Sequence, residues 1–336
     1  MQQPTGRGPV RPPIGIAFDG DLGNRIDAVL AIGMLNGLTA KTEARRISLS
    51  VSRPSLASAR LADIVANFYR PAPLAGRGGV GAITEGMIGM PEGRAPSDDK
   101  PALAAALSKK ASDGSPVYTS AIASLTNTAE SSVLIRNLLL AQHDGNAAIV
   151  LAGPATGLVR ILGLYRSLPQ IAAKCKLLIV AAGSFPQGPP DPSIKEDIAA
   201  ARKLFAEWPA PLVAVGSEVG EALPYPGASI EKDFAWAPSH PIVDAYRAVK
   251  PMPYDAPANA LAAVLLAAHS DEDYFKLSDP GMITVLDDGR TRFTPAADGK
   301  HRYAIVDPVQ KDRIISLYTS MVSAPPAPRP GRGRGA

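Results

Sequence analysis

The chain has 336 residues, 46% of them hydrophobic, with 35 Lys and Arg set against 31 Asp and Glu for a net charge of +4. That apolar content fills the core of one large domain. The basic excess collects at the ends, at Arg7 and Arg11 and at Arg329, Arg332 and Arg334, and aromatics make up only 5%; without a basic stripe and interleaved aromatic rings, nucleic acid is excluded as the expected partner. A single cysteine, Cys175, rules out an intrachain disulfide. No apolar run approaches the roughly 20 residues that a membrane helix needs. The first thirteen residues lack the apolar core of a signal peptide, so a cytoplasmic location is expected.

Pro- and Gly-rich ends, 1–13 and 324–336, read as flexible segments framing one domain over 14–323. Ile14 to Phe18 reads as the first strand and Arg25 to Leu38 as the first helix. Ile47 to Val51 is a second strand and Ser55 to Tyr69 a second helix. Pro71 to Asp113, rich in Gly and Pro, reads as loops. A helix over Ala129 to Gln142, a strand over Ala147 to Ala152 and a helix from Thr156 to Leu168 follow. Leu177 to Ala182 and Pro211 to Val215 are strands on either side of a helix at Ile198 to Trp208. Helices are expected at 241–249 and 257–268, then short strands at Ile283 to Leu286 and Thr291 to Thr294 turned by Asp287, Asp288 and Gly289, and a last helix from Pro308 to Val322. Short buried strands alternating with helices define an α/β fold with a mostly parallel open sheet flanked by helices. In such sheets ligands bind at the carboxyl ends of the strands, so the segments just after strands carry the chemistry.

The first of these segments is the richest. Asp19-Gly20-Asp21-Leu22-Gly23-Asn24-Arg25-Ile26-Asp27-Ala28 places three carboxylates within nine residues at a strand end. Crowded carboxylates repel unless something neutralises them; a hard cation with oxygen ligands is one solution, and an Asp-rich turn with helix capping is the other. From the loop alone the two remain open. Arg25, a cation placed among the acids, is expected to neutralise Asp21 or Asp27.

The loop resembles that of the inosine/uridine-preferring nucleoside hydrolases, in the bacterial branch with Asp-x-Asp-x-Gly-Asn-x-(Ile/Val)-Asp-Asp-Ala. It matches at Asp19, Asp21, Gly23, Asn24, Ile26 and Asp27 and departs at Ala28, where the family has a second Asp. Gly153-Pro154-Ala155-Thr156-Gly157-Leu158 is similar to the family's Gly-Pro-x-Thr-Asn-Leu segment, and Ala181 to Phe185 is similar to its Met-Gly-Gly-Ala-Phe turn. Asp191 and Ser193 stand where the family's ribose-binding Glu-x-Asn segment lies. Val215 to Gly220, His240-Pro241, Met252-Pro253-Tyr254-Asp255 and His301-Arg302-Tyr303 continue the resemblance. The family's last calcium-ligating Asp falls at Ala260, with Asp255 five residues too early.

The resemblance implies hydrolysis of the N-glycosidic bond of ribonucleosides or related N-ribosides, with Ca²⁺ positioning the attacking water and a carboxylate on the metal taking its proton. Carried over residue by residue, Asp21 is the catalytic base, and Asp19, Asp21, Asp27 and Thr156 form the metal set. Asp27, Asp191, Ser193, Asn24 and Glu218 face the substrate. Ala28 and Ala260 remove two anionic ligands from a cation that takes about 6–8 oxygens, which implies weak or absent calcium binding. The alternative is a non-catalytic relative that binds a ribosyl ligand or a partner. A small-molecule nucleoside or riboside is the expected partner, with no membrane and with self-association into a homo-oligomer. His240, beside Pro241, reads as a helix cap or packing residue, His143 and His301 as surface or structural, His269 as a helix end, Trp208 and Trp236 as packing, and Cys175 as a buried thiol.

Overall fold

The apolar runs that carry no helical period become strands of one eleven-stranded sheet. The structure is a computed structural model, and it describes residues 12–69, 87–92 and 102–326. Residues 1–11 and 327–336, most of the ends read as flexible, and much of the stretch read as loops from Pro71 to Asp113 lie outside the described residues. In chain order the strands are β1 (Ile14–Gly20), β2 (Ala44–Val51), β3 (Ile88–Met90), β4 (Thr128–Glu130), β5 (Ala147–Ala152), β6 (Cys175–Val180), β7 (Leu212–Ala214), β8 (Phe275–Leu277), β9 (Gly281–Val285), β10 (Thr291–Pro295) and β11 (His301–Val306). They lie in the order β10-β9-β11-β7-β6-β5-β1-β2-β3-β4, with β8 on β11. All pairings from β4 across to β7, and β7 with β11, are parallel; only β8, β9 and β10 pair antiparallel. The mostly parallel open sheet expected from the sequence is what forms.

Strand alternation sorts the core into two layers. Ile16 and Phe18 of β1, with Val150 of β5 and Ile179 of β6, face the helices Ile26–Ala40, Asn259–Ala268 and Lys311–Val322. Ala17, Ile149 and Leu151 face the other layer, with Ile135 and Leu139 of the helix Ser131–Leu140 and with Leu204 and Phe205 of the helix Ile198–Glu207. Both faces of β1 and β5 are covered, which is why their sequences are almost uninterrupted apolar runs. From β1 the chain builds outward through β2, β3 and β4, then returns to lay β5 on the other side of β1. The order therefore reverses between β1 and β5, and the crevice at their carboxyl ends is the switch point where such folds bind ligands.

The hairpin β9–β10 forms with Gly289 at φ +85, a conformation glycine adopts without strain. The helix expected from Thr156 to Leu168 is instead a 3₁₀ segment over Leu158–Gly163 followed by a helix over Ser167–Lys174. Pro169 is the reason: it is tolerated in a first turn but not in a helix interior, so the helix restarts at Ser167. Among the described residues no helix is long and apolar enough to cross a membrane.

Candidate functional site at the ends of β1, β2 and β5

The loop after β1 is held between its neighbours by backbone hydrogen bonds. The Asp21 N–H donates to the Ala152 carbonyl at 3.0 Å, and the Ser52 N–H donates to the Gly20 carbonyl at 3.0 Å. The loops after β1, β2 and β5 approach so closely that a Cβ on Gly153 would lie 2.1 Å from Ser52 Oγ and 2.9 Å from the Asp21 nitrogen. Glycine at 153 is what lets the three strand ends converge.

Each oxygen of Asp21 and Asp27 accepts a hydrogen bond. Asp21 is 3% exposed; its Oδ1 accepts from Asn24 Nδ2 at 2.9 Å and its Oδ2 from Arg53 Nε at 2.8 Å. Arg53 also ion-pairs with Glu196. Asp27 is 5% exposed and is gripped by a guanidinium fork, Arg25 Nε on Oδ1 at 3.1 Å and Arg25 Nη2 on Oδ2 at 2.8 Å. The Ala260 backbone N–H adds a third bond to Asp27 Oδ2 at 2.9 Å. The remaining Arg25 nitrogen, Nη1, donates to the Ala181 carbonyl at 3.1 Å, so one side chain ties the first loop to the end of β6. Burial alone would lower the Arg25 pKa; the charges of Asp27, Asp191 and Asp21 outweigh it and hold the group above its ordinary value.

Asp19 stands in a different environment. It follows Ala17 in the alternation of β1 and pairs in register with Ser50 of β2. It is fully buried, and neither carboxyl oxygen has a hydrogen-bond partner among the described residues. Burial, and secondarily the charge of Glu130, push its pKa up to about 7. The side chains that engage Asp21 and Asp27 do not reach it.

The other expected site residues are placed as follows. Thr156 is exposed, and its hydroxyl donates to Asp197 Oδ2 at 2.8 Å. Asp191 caps the helix Pro192–Glu196 by accepting from the Ser193 and Ile194 N–H groups at 2.8 and 3.1 Å, and accepts from the Gly183 N–H at 3.0 Å. Ser193 is buried beneath that cap. Glu218 is half-buried, accepts from the Phe185 N–H at 3.2 Å, and has a pKa raised by burial. Asn24 is exposed beside Asp21. Ala28 and Ala260 are both 0% exposed. The peptide of residue 260 reaches the acidic loop, where its N–H donates to Asp27 and its side chain is a buried methyl. Asp255 is exposed and accepts from the Gly227 N–H at 2.9 Å.

A cleft of about 390 Å³ opens beside Arg53, lined by Ser52, Pro91, Thr156, Arg160, Glu196 and Asp197. Of these only Thr156 was brought to the site by sequence reasoning; Arg53 and Glu196 are the charged pair it missed. Arg53 lies two residues past β2, so the strand-end rule itself points to it. Its partners lie 32 and 143 positions from it in the chain and have no local signature. The histidines take no part. His240 Nδ1 accepts from the Ile242 N–H at 3.2 Å and caps its helix; its ring sits among Phe68, Phe234 and Trp236, and burial lowers its pKa to about 4. His301 Nδ1 accepts from the Ile283 N–H at 2.9 Å. Burial likewise raises the Cys175 thiol to about 12.

No protein-family model and no curated protein matches the chain. Solved structures do, over nearly its whole length. A plant nucleoside hydrolase, PpNRh1, superposes with a TM-score of 0.66 at 17% identity, covering 94% of this chain and 100% of that one. The inosine-uridine preferring nucleoside hydrolase from Bacillus anthracis gives 0.62 at 15% identity, covering 92% and 99%. The type III effector protein XopQ, solved in complex with adenosine diphosphate ribose, gives 0.63 at 13% identity, covering 93% and 95%. The sheet order defines an α/β protein with a mostly parallel open sheet and a cluster of carboxylates on its strand-end loops. More particularly, the chain has the nucleoside hydrolase fold.

Proposed function

We propose that this chain binds a ribosyl ligand, a nucleoside or related N-riboside, in the strand-end cleft and does not act as a calcium-dependent hydrolase. The observation that carries the first half is the lining of the cleft. Glu196 and Asp197 bring carboxylates, and Ser52 and Thr156 bring hydroxyls, to the mouth of the switch point; the Ser52 hydroxyl has no partner among the described residues, while Thr156 engages Asp197 and Glu196 pairs with Arg53. Carboxylates and hydroxyls in one cleft suit the vicinal hydroxyls of a ribose, which donate and accept at once. That a protein of the same fold has been solved with adenosine diphosphate ribose supports the same ligand class.

The second half follows from the donor set. Calcium takes about 6–8 oxygens, and its affinity rises with the number of charged ligands. Here the oxygens of Asp21 and Asp27 already accept from N–H groups, positions 28 and 260 carry methyls, and Asp255 is engaged by Gly227. Of the carboxylates in the implied metal set only Asp19 has oxygens without a partner among the described residues, and one carboxylate is too few for the ion that the family resemblance implies, so the residues present do not fit it and no hydrolytic step is derived through it.

Titration calorimetry with inosine, adenosine, uridine and adenosine diphosphate ribose, beside an assay for free ribose, tests this. The expected result is heat of binding from at least one riboside, unchanged by EDTA, with no ribose released. The second reading, weak hydrolysis with Asp21 as the base, is favoured by one observation: Asp21 remains at the carboxyl end of β1 beside the cleft residue Ser52. Calcium-dependent ribose release that disappears in Asp21→Ala would establish that reading and reject ours.

A further inference from the structure

The arginines at this site are arranged as a metal would be. Four carboxylates, those of Asp21, Asp27, Asp191 and Glu196, gather at the ends of β1, β2 and β6. Arg25 interacts with the first three, and Arg53 with Asp21 and Glu196. Two guanidinia carry the same formal charge as one divalent ion. They also do its mechanical work. Arg25 joins the loop after β1 to the Ala181 carbonyl at the end of β6, and Arg53 joins the segment after β2 to Asp21 and to the helix Pro192–Glu196. The fork of Arg25 is matched to a carboxylate, a bidentate geometry that a lysine cannot supply.

The surroundings are consistent with that substitution. Ala28 and Ala260 are fully buried members of the apolar cluster beneath the loop, so the two positions that would bring further negative charge bring hydrocarbon. The only polar group residue 260 offers to Asp27 is its N–H, a donor. Every contact to Asp21 and Asp27 is therefore from a donor, and the cluster is neutralised from within the chain.

We infer that Arg25 and Arg53 are built-in cations that replace a divalent metal at this site, so that the chain holds its strand-end loops together without calcium. The inference rests on the same reading of the cleft, but its probe is calcium alone, so a failed riboside titration leaves it standing and a successful one does not establish it.

The test is thermal unfolding of the full chain with millimolar Ca²⁺ or with EDTA, for wild type and for Arg25→Ala/Arg53→Ala. Wild type is expected to melt at the same temperature in both. The double variant leaves Asp21 and Asp27 uncompensated, so its Tm should fall by about 5–10 °C in EDTA, and calcium should restore part of the loss by occupying the freed carboxylates. Arg25→Lys/Arg53→Lys, which keeps the charge and loses the fork, should melt between the two. If the double variant does not fold, Arg53→Ala alone carries the same calcium comparison. A wild-type Tm raised by calcium, a variant as stable as wild type, or a variant that calcium leaves unchanged would each overturn the inference.

Discussion

Asp19 and Asp21 are two residues apart on one strand end and both are buried, yet their oxygens meet opposite fates. Asp21 has a donor on each oxygen, one from an amide and one from a guanidinium. Asp19 has none, faces the charge of Glu130, and is pushed up to about 7. Burial is common to the two; what differs between them is the partner. Asp27 repeats the lesson from the other direction, because it is nearly as buried as Asp21 and is held by a fork and a peptide N–H. A carboxylate in this fold is settled by what the neighbouring loops aim at it, and here they aim arginine.

Four substitutions break or sharpen that contrast. The largest effect is expected from Arg25→Ala. It strips Asp27 of its fork under the buried Ala260 peptide and should lower the unfolding free energy by about 3 kcal/mol, read as a fall in denaturant midpoint at unchanged slope. Asp19→Asn acts in the opposite sense and depends on pH. A carboxyl whose pKa rises from 3.8 in the unfolded chain to about 7 when folded binds more protons folded than unfolded across that window. Its stabilisation is thus full at acid pH and is lost as pH rises towards 7. Removing the charge should therefore stabilise the protein at pH 8 and do little at pH 4; urea melts at the two pH values check it. A variant equally destabilised at both would mean that Asp19 is ionised and paired.

Arg53→Ala should cost less than Arg25→Ala, about 1 kcal/mol, because Arg53 holds Asp21 by a single hydrogen bond without a fork and its pairs are partly screened by solvent. Thr156→Val removes only the exposed hydrogen bond to Asp197 and should change stability by about 0.5 kcal/mol or less. If the ribosyl reading is correct, its effect appears instead as weaker riboside binding, measured by calorimetry.

Much of this was legible in the chain. The buried strands β1, β5 and β6 announced themselves as continuous apolar runs, and the acid-rich loop after β1 marked the switch point. Arg25, lying between Asp21 and Asp27 in sequence, could be expected to neutralise one of them, and it pairs with Asp27. The strands β3, β4, β8 and β11 were not legible: the first three have three residues each with no uninterrupted apolar run around them, and β11 opens on His301 and Arg302. Nor was the use of Asp191, whose cap geometry depends on Pro192 starting a helix and on Gly183 arriving from another loop. Arg53 is the instructive omission. Its residue type and position were visible, but its partners Asp21 and Glu196 meet it only once three strand ends converge, and sequence proximity gives no hint of that.

The most direct measurement is electron density between Asp21 and Asp27 in crystals grown with calcium chloride and diffracted to a resolution that distinguishes an ion from water. The account predicts the Arg25 guanidinium on Asp27 and the Arg53 guanidinium on Asp21, with no ion between them. A calcium ion coordinated by those two carboxylates, with the arginines turned away, would contradict it.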